Sequence, residues 1–237
     1  RATPLQHSNT SIIGYVQNNA IARNSRTTNV VRWDSPNFGG LSGGLTWSPG
    51  GTAEGTPGDP QKGNVWSANI GYGAGPIALW LAAWDEKIEG YKNAPAGSYT
   101  GQQAWRLGGS YNFGMFKVGL TYDEAKLKFN GTDIKRGAFS IPVTAKVGPG
   151  TVLFTYSQAQ DAKYGGTKNS DSGAKMYTLG YDYPLSKRTS IGVSYAVLNN
   201  DSSAQYGLFT GAALNNLSAP TVGQDQKQFA IGVRHAF

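Results

Sequence analysis

Few side chains in this 237-residue sequence could carry out covalent chemistry. It has two histidines, His7 and His235, and no cysteine, which excludes thiolate metal sites, cysteine nucleophiles and disulfide scaffolds. A serine hydrolase needs a histidine beside its nucleophile. In a membrane barrel such a pair would have to lie at the outer rim, whereas His235, close to the C-terminus, is predicted at the opposite rim. No His, Asp or Glu cluster has the spacing of zinc ligands. The sequence therefore predicts no enzyme, no metal centre and no cofactor.

Two further patterns resemble catalytic or nucleotide motifs but have simpler interpretations. The glycine-rich stretch 71–75 lacks the Lys-Ser/Thr pair and the helix that follow a phosphate-binding loop, so it predicts a tight turn. Asp123 and Glu124 are adjacent in a predicted strand, so they point to opposite faces and cannot form an acid/base pair. Asp171, Asp201 and Asp225 fall in predicted long loops, where solvated charge is favoured over a bridging divalent cation.

The composition excludes several classes of protein. Lys and Arg total 21 against 14 Asp and Glu, which gives a formal charge of +7. Charged residues make up only 15% of the chain, and the basic ones are scattered, so we expect no nucleic-acid partner. An aromatic content of 12%, with 13 tyrosines, excludes a disordered chain. The longest apolar run, 77–84, is too short for a transmembrane helix.

Apolar residues recur at every second position along most of the chain, which is the period of a β-strand. In one example, Phe116, Val118, Leu120 and Tyr122 alternate with polar residues and glycine. The pattern predicts an all-β protein with eleven strands at about 28–36, 41–49, 64–73, 76–89, 102–113, 115–129, 135–148, 151–161, 174–184, 189–200 and 226–237.

The predicted strands have the length and composition of membrane-spanning strands. Most run nine to twelve residues, close to the ~9–11 that a tilted transmembrane strand needs. Their apolar faces begin or end in aromatic residues, as in interfacial girdles. The other face carries Ser, Thr, Asn, Gly, Arg and Lys, which is too polar for a packed core and suits a water-filled lumen. We therefore predict a transmembrane antiparallel β-barrel, with a soluble ligand-binding β-barrel as the less favoured alternative.

The connectors predict hairpins, because short and long ones alternate. Eleven strands do not complete a 16-stranded transmembrane barrel. Such a barrel would require five further strands, on the order of 105 residues. These are expected to precede Arg1. Short connectors are predicted at 37–40, 73–76, 113–115, 148–150 and 185–188, and long ones at 50–63, 90–101, 130–134, 162–173 and 201–225.

Two segments resemble a known family. Residues 29–43, NVVRWDSPNFGGLSG, resemble the strand–turn–strand after the constriction loop of general trimeric porins of the Gram-negative, β-proteobacterial type. Residues 228–237, QFAIGVRHAF, resemble the terminal strand of that family. The resemblance implies a single domain over 1–237, with 1–27 as much of the constriction loop and 28–237 as strands 6–16. It also implies a homotrimer in the bacterial outer membrane, in contact with the lipid bilayer and lipopolysaccharide.

The resemblance further implies a channel for passive diffusion of small hydrophilic solutes, and the basic residues suggest that it prefers anions. The first acid of the sequence is Asp34, so the expected constriction residues Arg23, Arg26 and Arg32 meet no earlier carboxylate. Anionic or neutral solutes are the expected cargo, and a substrate-specific porin is the alternative. The expected lumen wall comprises Asp34, Arg106, Lys117, Lys146 and Arg234, with pairing to acids such as Asp123 or Asp182 as the competing interpretation. The assembly machinery is expected to recognise Phe229, Ile231, Val233 and Phe237.

Overall fold

The computed structural model describes residues 29–49, 62–89, 99–208 and 221–237, and every regular element in this part of the chain is a β-strand. The strands are β1 (Val31–Asp34), β2 (Leu41–Ser48), β3 (Lys62–Ala74), β4 (Ile77–Glu89), β5 (Tyr99–Asn112), β6 (Phe116–Phe129), β7 (Asp133–Val147), β8 (Gly150–Ala159), β9 (Lys163–Tyr164), β10 (Thr167–Lys168), β11 (Ala174–Pro184), β12 (Thr189–Asn200) and β13 (Gln226–His235).

The strands form one antiparallel sheet in which each long strand pairs with the next in sequence. The order is β1 to β8, followed by β11, β12 and β13, so the eleven strands predicted from alternation are confirmed. The small hairpin β9–β10 was not predicted, because two-residue strands are too short to show a period. β9 pairs with β7 through Ile134 and Lys135, which extends the sheet beyond the end of β8.

The connectors define two ends of the sheet, which we call the turn end and the loop end. At the turn end, β3 and β4 are joined by Gly75-Pro76, and β7 and β8 by Gly148-Pro149. Both glycines have positive φ, 55° and 58°. The two-residue hairpin turns of types I′ and II′ require positive φ at their first central residue, which is the position of each glycine. At the loop end, the connector expected at 130–134 is only three residues long, because β6 and β7 extend further than predicted.

The two faces of the sheet differ sharply in composition. We call the face with Phe116, Leu120 and Tyr122 of β6 the apolar face, and the face with Lys117 and Asp123 the polar face. Large apolar side chains on the apolar face are more than half exposed in the isolated chain, among them Leu45, Leu107, Leu120, Leu179 and Ile231. A continuous exposed apolar surface of this kind requires a nonaqueous neighbour.

Aromatic side chains border this apolar face in two rows. Near the loop end the ring centroids are 6.0 Å apart for Trp47–Trp66, 5.3 Å for Trp105–Tyr122 and 5.1 Å for Tyr156–Tyr177. Near the turn end, Tyr111, Phe113 and Phe116 follow one another at 4.5 Å. Aliphatic residues fill the band between the rows, which is the arrangement that matches a lipid bilayer with its two interfaces.

The polar face contains a packed apolar cluster at its loop end, so the expectation that this face is too polar for a core was wrong there. Seven apolar strand residues that pack together on this face are each no more than 3% exposed, and three residues of the loop after β12 cover them. We call this group the loop-end cluster. Its members are Ala125, Ala138, Ala159, Ala174, Met176, Ala196 and Leu198 from the strands, and Ala204, Tyr206 and Leu208 from the loop.

Candidate functional site

The charged side chains of the polar face form the candidate site, because cross-strand pairing places them together on one surface. Pairing of Arg106 with Asp123 and of Lys117 with Thr144 shows that these residues share a face, since directly opposed residues in a sheet point to the same side. Over the long strands, the polar face carries six basic and four acidic residues among those described. They are Arg32, Arg106, Lys117, Arg136, Lys146 and Arg234, with Asp34, Glu86, Asp123 and Asp182.

Arg32 is held by an acid on its own strand. Its Nε donates to both carboxylate oxygens of Asp34 at 3.0 and 2.8 Å, and Nη2 donates to Oδ1 at 2.7 Å. The two residues are two positions apart on β1, so both project from the polar face. Because both side chains are more than half exposed, the pair adds little to stability, but the carboxylate offsets much of the field of Arg32.

Arg106 is also paired, across the β5–β6 interface. Its Nε and Nη2 both lie near Oδ2 of Asp123, at 2.8 and 2.7 Å. Asp123 has only 10% of its side chain exposed, whereas Arg106 has 45%, so the acid lies beneath the guanidinium. The interpretation of Arg106 as the partner of a wall acid thus has direct geometric support.

Lys117 and Lys146 are different, because neither has a carboxylate within 4 Å in the part of the chain that the structure describes. Lys117 pairs with Thr144, which is two residues before Lys146, so the two lysines are diagonal neighbours near the turn end. Both residues are exposed on the polar face. Arg234, opposite Ser190 on β12, likewise has no ion pair within residues 29–49, 62–89, 99–208 and 221–237.

The remaining expected site residues fall into two groups. Arg23 and Arg26, with the expected constriction loop 1–27, lie outside the described residues. Asp182 is on the polar face opposite Thr151 and Gly192 and forms no ion pair with a described residue.

The structure offers no catalytic or metal-binding arrangement among the described residues. His235 lies on the apolar face, with Nδ1 2.9 Å from Oγ1 of Thr189. In those segments no three His, Asp or Glu side chains come close enough to hold a metal ion. Asp161 is used structurally instead: Oδ1 accepts from the amides of Ser172 and Gly173, and Oδ2 lies 3.0 Å from Nζ of Lys168. These contacts lower the pKa of Asp161 although partial burial opposes them.

Sequence reasoning missed the most buried basic residue of the polar face, Arg136. It is 8% exposed, and its Nη1 donates to the hydroxyl of Tyr206 at 3.1 Å. Tyr206 is 70 residues away in a long loop, so strand periodicity carries no signal of this contact. The available hint was the repeated alanine at polar-face positions of neighbouring strands, which leaves room for a segment to pack over them.

Comparison with protein families identifies this architecture. A family model described as Gram-negative porin matches residues 2–203. The chain belongs to the Gram-negative porin family. Membership confirms the outer-membrane localisation, the all-β transmembrane barrel class and the expectation that the protein is not an enzyme.

Individual relatives agree with this family. The porin chain is 30% identical over 220 residues to the outer membrane porin protein 32 of Delftia acidovorans. The aligned region covers 90% of this chain and 57% of that protein. It matches the structure of an anion-selective porin from Comamonas acidovorans with a TM-score of 0.70 and 28% identity, over 90% of this chain and 60% of that one. The chain thus spans less than two thirds of the length of these relatives.

A more distant structure shares only the fold. OmpT, an outer membrane protein of Vibrio cholerae, matches at 16% identity with a TM-score of 0.63, over 87% of this porin chain and 63% of OmpT.

Among the described residues, no helix is long and apolar enough to cross a membrane.

Proposed function

We propose that this protein forms a water-filled outer-membrane channel for passive diffusion of small hydrophilic solutes, and that the channel prefers anions. The observation that carries the proposal is the charge on the polar face, which would line the channel. Lys117, Lys146 and Arg234 are basic residues there without a carboxylate partner among the described residues, whereas Arg32 and Arg106 are paired with acids. Fixed positive charge in a narrow aqueous pore raises the local concentration of anions.

The similarity to the anion-selective porin from Comamonas acidovorans supports the same preference. A homotrimer in contact with lipid and lipopolysaccharide belongs to this proposal, as do anionic or neutral solutes as cargo. Recognition by the assembly machinery is supported by the exposure of Phe229, Ile231, Val233 and Phe237, each of which is at least 67% exposed.

A substrate-specific channel is less well supported by the arrangement of aromatic residues. Most tyrosines of the described strands lie on the apolar face, where they cannot contact a solute in the lumen. In the described segments, the aromatic residues at polar-face positions of the long strands include Trp80 and Trp84 of β4 and Phe129 at the loop end of β6. Ala82 separates the two tryptophans on this face and Phe129 lies on another strand, so these residues do not form a continuous track along the channel.

The direct test is the reversal potential of the full-length protein in planar bilayers under a KCl gradient. We expect the sign that corresponds to chloride permeating faster than potassium. A potential of the opposite sign would refute the anion preference, and a protein that inserts into bilayers without conducting would refute the channel.

The Arg32–Asp34 pair gives a second prediction. Replacing Asp34 with Asn removes the charge that offsets Arg32, so the chloride-to-potassium permeability ratio should rise, by roughly 1.5-fold at low salt, because screening at 0.1 M extends over about 10 Å. The measurement is again the reversal potential. Asp133→Asn is the matched control, because Asp133 pairs with Lys126 on the apolar face. An unchanged or lower ratio in Asp34→Asn would show that Arg32 does not face the permeating ions.

A further inference from the structure

The loop after β12 lies against the polar face instead of extending away from it. Ala204, Tyr206 and Leu208 are 2–3% exposed, as completely buried as the strand residues beneath them. These strand residues occupy the face that lines the channel in the function proposed above. Residues 201–208 therefore lie on the channel side of the wall, at its loop end.

The wall beneath this segment is built from small side chains. Ala138, Ala159 and Ala174 are paired in register across β7, β8 and β11. Alanine at these positions allows the backbone of the segment to come close to the sheet, where longer side chains would hold it away.

Side-chain and backbone contacts both fix the segment in place. The hydroxyl of Tyr206 accepts a hydrogen bond from Nη1 of Arg136 at 3.1 Å, and the guanidinium carbon lies 5.5 Å from the centre of the tyrosine ring. The backbone amide of Tyr206 donates to Oδ1 of Asn200 at 2.8 Å, and Nδ2 of Asn200 donates to the carbonyl of Tyr206 at 2.9 Å. The amide of Leu208 donates to Oε1 of Gln226.

Burial keeps this anchor in one protonation state. It raises the pKa of Tyr206 above the ordinary value of 10.0, although the charge of Arg136 acts in the opposite direction. The hydroxyl therefore stays protonated at physiological pH. Arg136, in turn, is 8% exposed and directed at Tyr206, so it is shielded from solutes that pass the wall.

We propose that residues 201–208 form a fixed narrowing at the loop end of the channel, and that Arg136 and Tyr206 position it and thereby set the size limit for solutes. This inference rests on the proposed channel function. It assigns to Arg136 a positioning role, in contrast to the ion-attracting role of Lys117 and Lys146.

The first test is electrical and uses the full-length protein. Tyr206→Ala removes the ring and hydroxyl that hold the segment, so single-channel conductance in KCl should rise about 1.5-fold, because conductance follows the open cross-section. In liposome swelling, trisaccharides should enter relatively faster than arabinose. Tyr183→Ala is the matched control, since Tyr183 is exposed on the apolar face near the turn end. A wild-type conductance in Tyr206→Ala would overturn the inference, whereas absence of conductance in the wild type would overturn the channel function instead.

The second test follows the segment itself and does not depend on conduction. The 237-residue chain has no cysteine, so Ala204→Cys places one thiol in it at a position that is 3% exposed. A membrane-impermeant maleimide should label this thiol slowly in the otherwise wild-type protein, and at least tenfold faster when Tyr206→Ala is added, because the site opens locally. Fast labelling without Tyr206→Ala would overturn the inference.

Milder variants keep the inference testable if Tyr206→Ala does not fold. Tyr206→Phe and Arg136→Gln each weaken the contact, and both should increase labelling of Ala204→Cys. Because the two residues act through one contact, the double variant should label little faster than the single ones. Additive increases, or none in either single variant, would show that this pair does not hold the segment.

Discussion

Replacing Lys117 and Lys146 together with Glu should lower the chloride-to-potassium permeability ratio of the channel by roughly three- to tenfold at 0.1 M KCl. The two lysines are diagonal neighbours on the polar face, and both are exposed. In the described part of the chain no carboxylate lies within 4 Å of either ammonium group. Their positive charge is therefore not offset, whereas Asp34 offsets the charge of Arg32 and Asp123 that of Arg106. The double substitution changes the local charge by four units within about one Debye length of the permeating ions.

Reversal potentials of the full-length protein measure this effect, and their salt dependence separates it from a structural change. At 1 M KCl the Debye length falls to about 3 Å, so the difference from the wild type should shrink. Lys175→Glu with Lys227→Glu is the matched control, because these lysines lie on the apolar side of β11 and β13, outside the lumen. An equal change in the control pair, or an unchanged ratio in the Lys117/Lys146 variant, would refute the assignment.

Replacing Gly101 with Ala should destabilise the folded protein by about 2–4 kcal/mol, the largest stability effect that we expect from a single methyl group here. Gly101 lies at an irregularity in the pairing of β5 with β6, where the register shifts between Tyr99 and Gly101. Its φ is 147°, a region that is nearly restricted to glycine. A Cβ at this position would collide with the backbone carbonyl oxygen of Glu86, which cannot move aside without breaking strand pairing.

The measurement is a urea titration in detergent, followed by the change in gel mobility between folded and unfolded protein. Gly73→Ala in β3 is the control, since a Cβ there would have no heavy atom within 4 Å among the described residues. We expect a clear decrease in the unfolding midpoint for Gly101→Ala and a much smaller one for Gly73→Ala. Equal shifts would mean that loss of glycine in a strand, and not the local geometry of the irregularity, is the cause.

Much of the sheet could be predicted from the sequence, because one periodic signal determines it. Alternation located all eleven long strands and assigned Lys117, Lys146 and Arg234 to one face, since the side of a side chain follows from parity alone. The same reasoning could not decide whether Arg106 is free or paired. That depends on the register of β5 against β6, which brings Asp123 opposite Arg106 and which no local pattern encodes.

Long-range packing and short strand length account for the other differences. The loop-end cluster depends on contacts between Tyr206 and β7, and such contacts depend on tertiary structure and not on local preference. The hairpin β9–β10 escaped prediction for the opposite reason, because each strand has only two residues. The assignment of Arg23 and Arg26 to the constriction stays a prediction.

The two aromatic rows also define the hydrophobic thickness of the barrel. In β6 the rows are marked by Phe116 and Tyr122, six residues apart, which corresponds to roughly 15 Å along the membrane normal for a strand tilted by about 40°. The seven residues from Asp123 to Phe129 then rise roughly 18 Å beyond the loop-end row. About half of this strand thus stands above the lipid as a collar. In the channel proposed above, the segment anchored by Tyr206 narrows the pore within that collar, so solutes that enter from the loop end meet this narrowing before they reach the depth of the membrane.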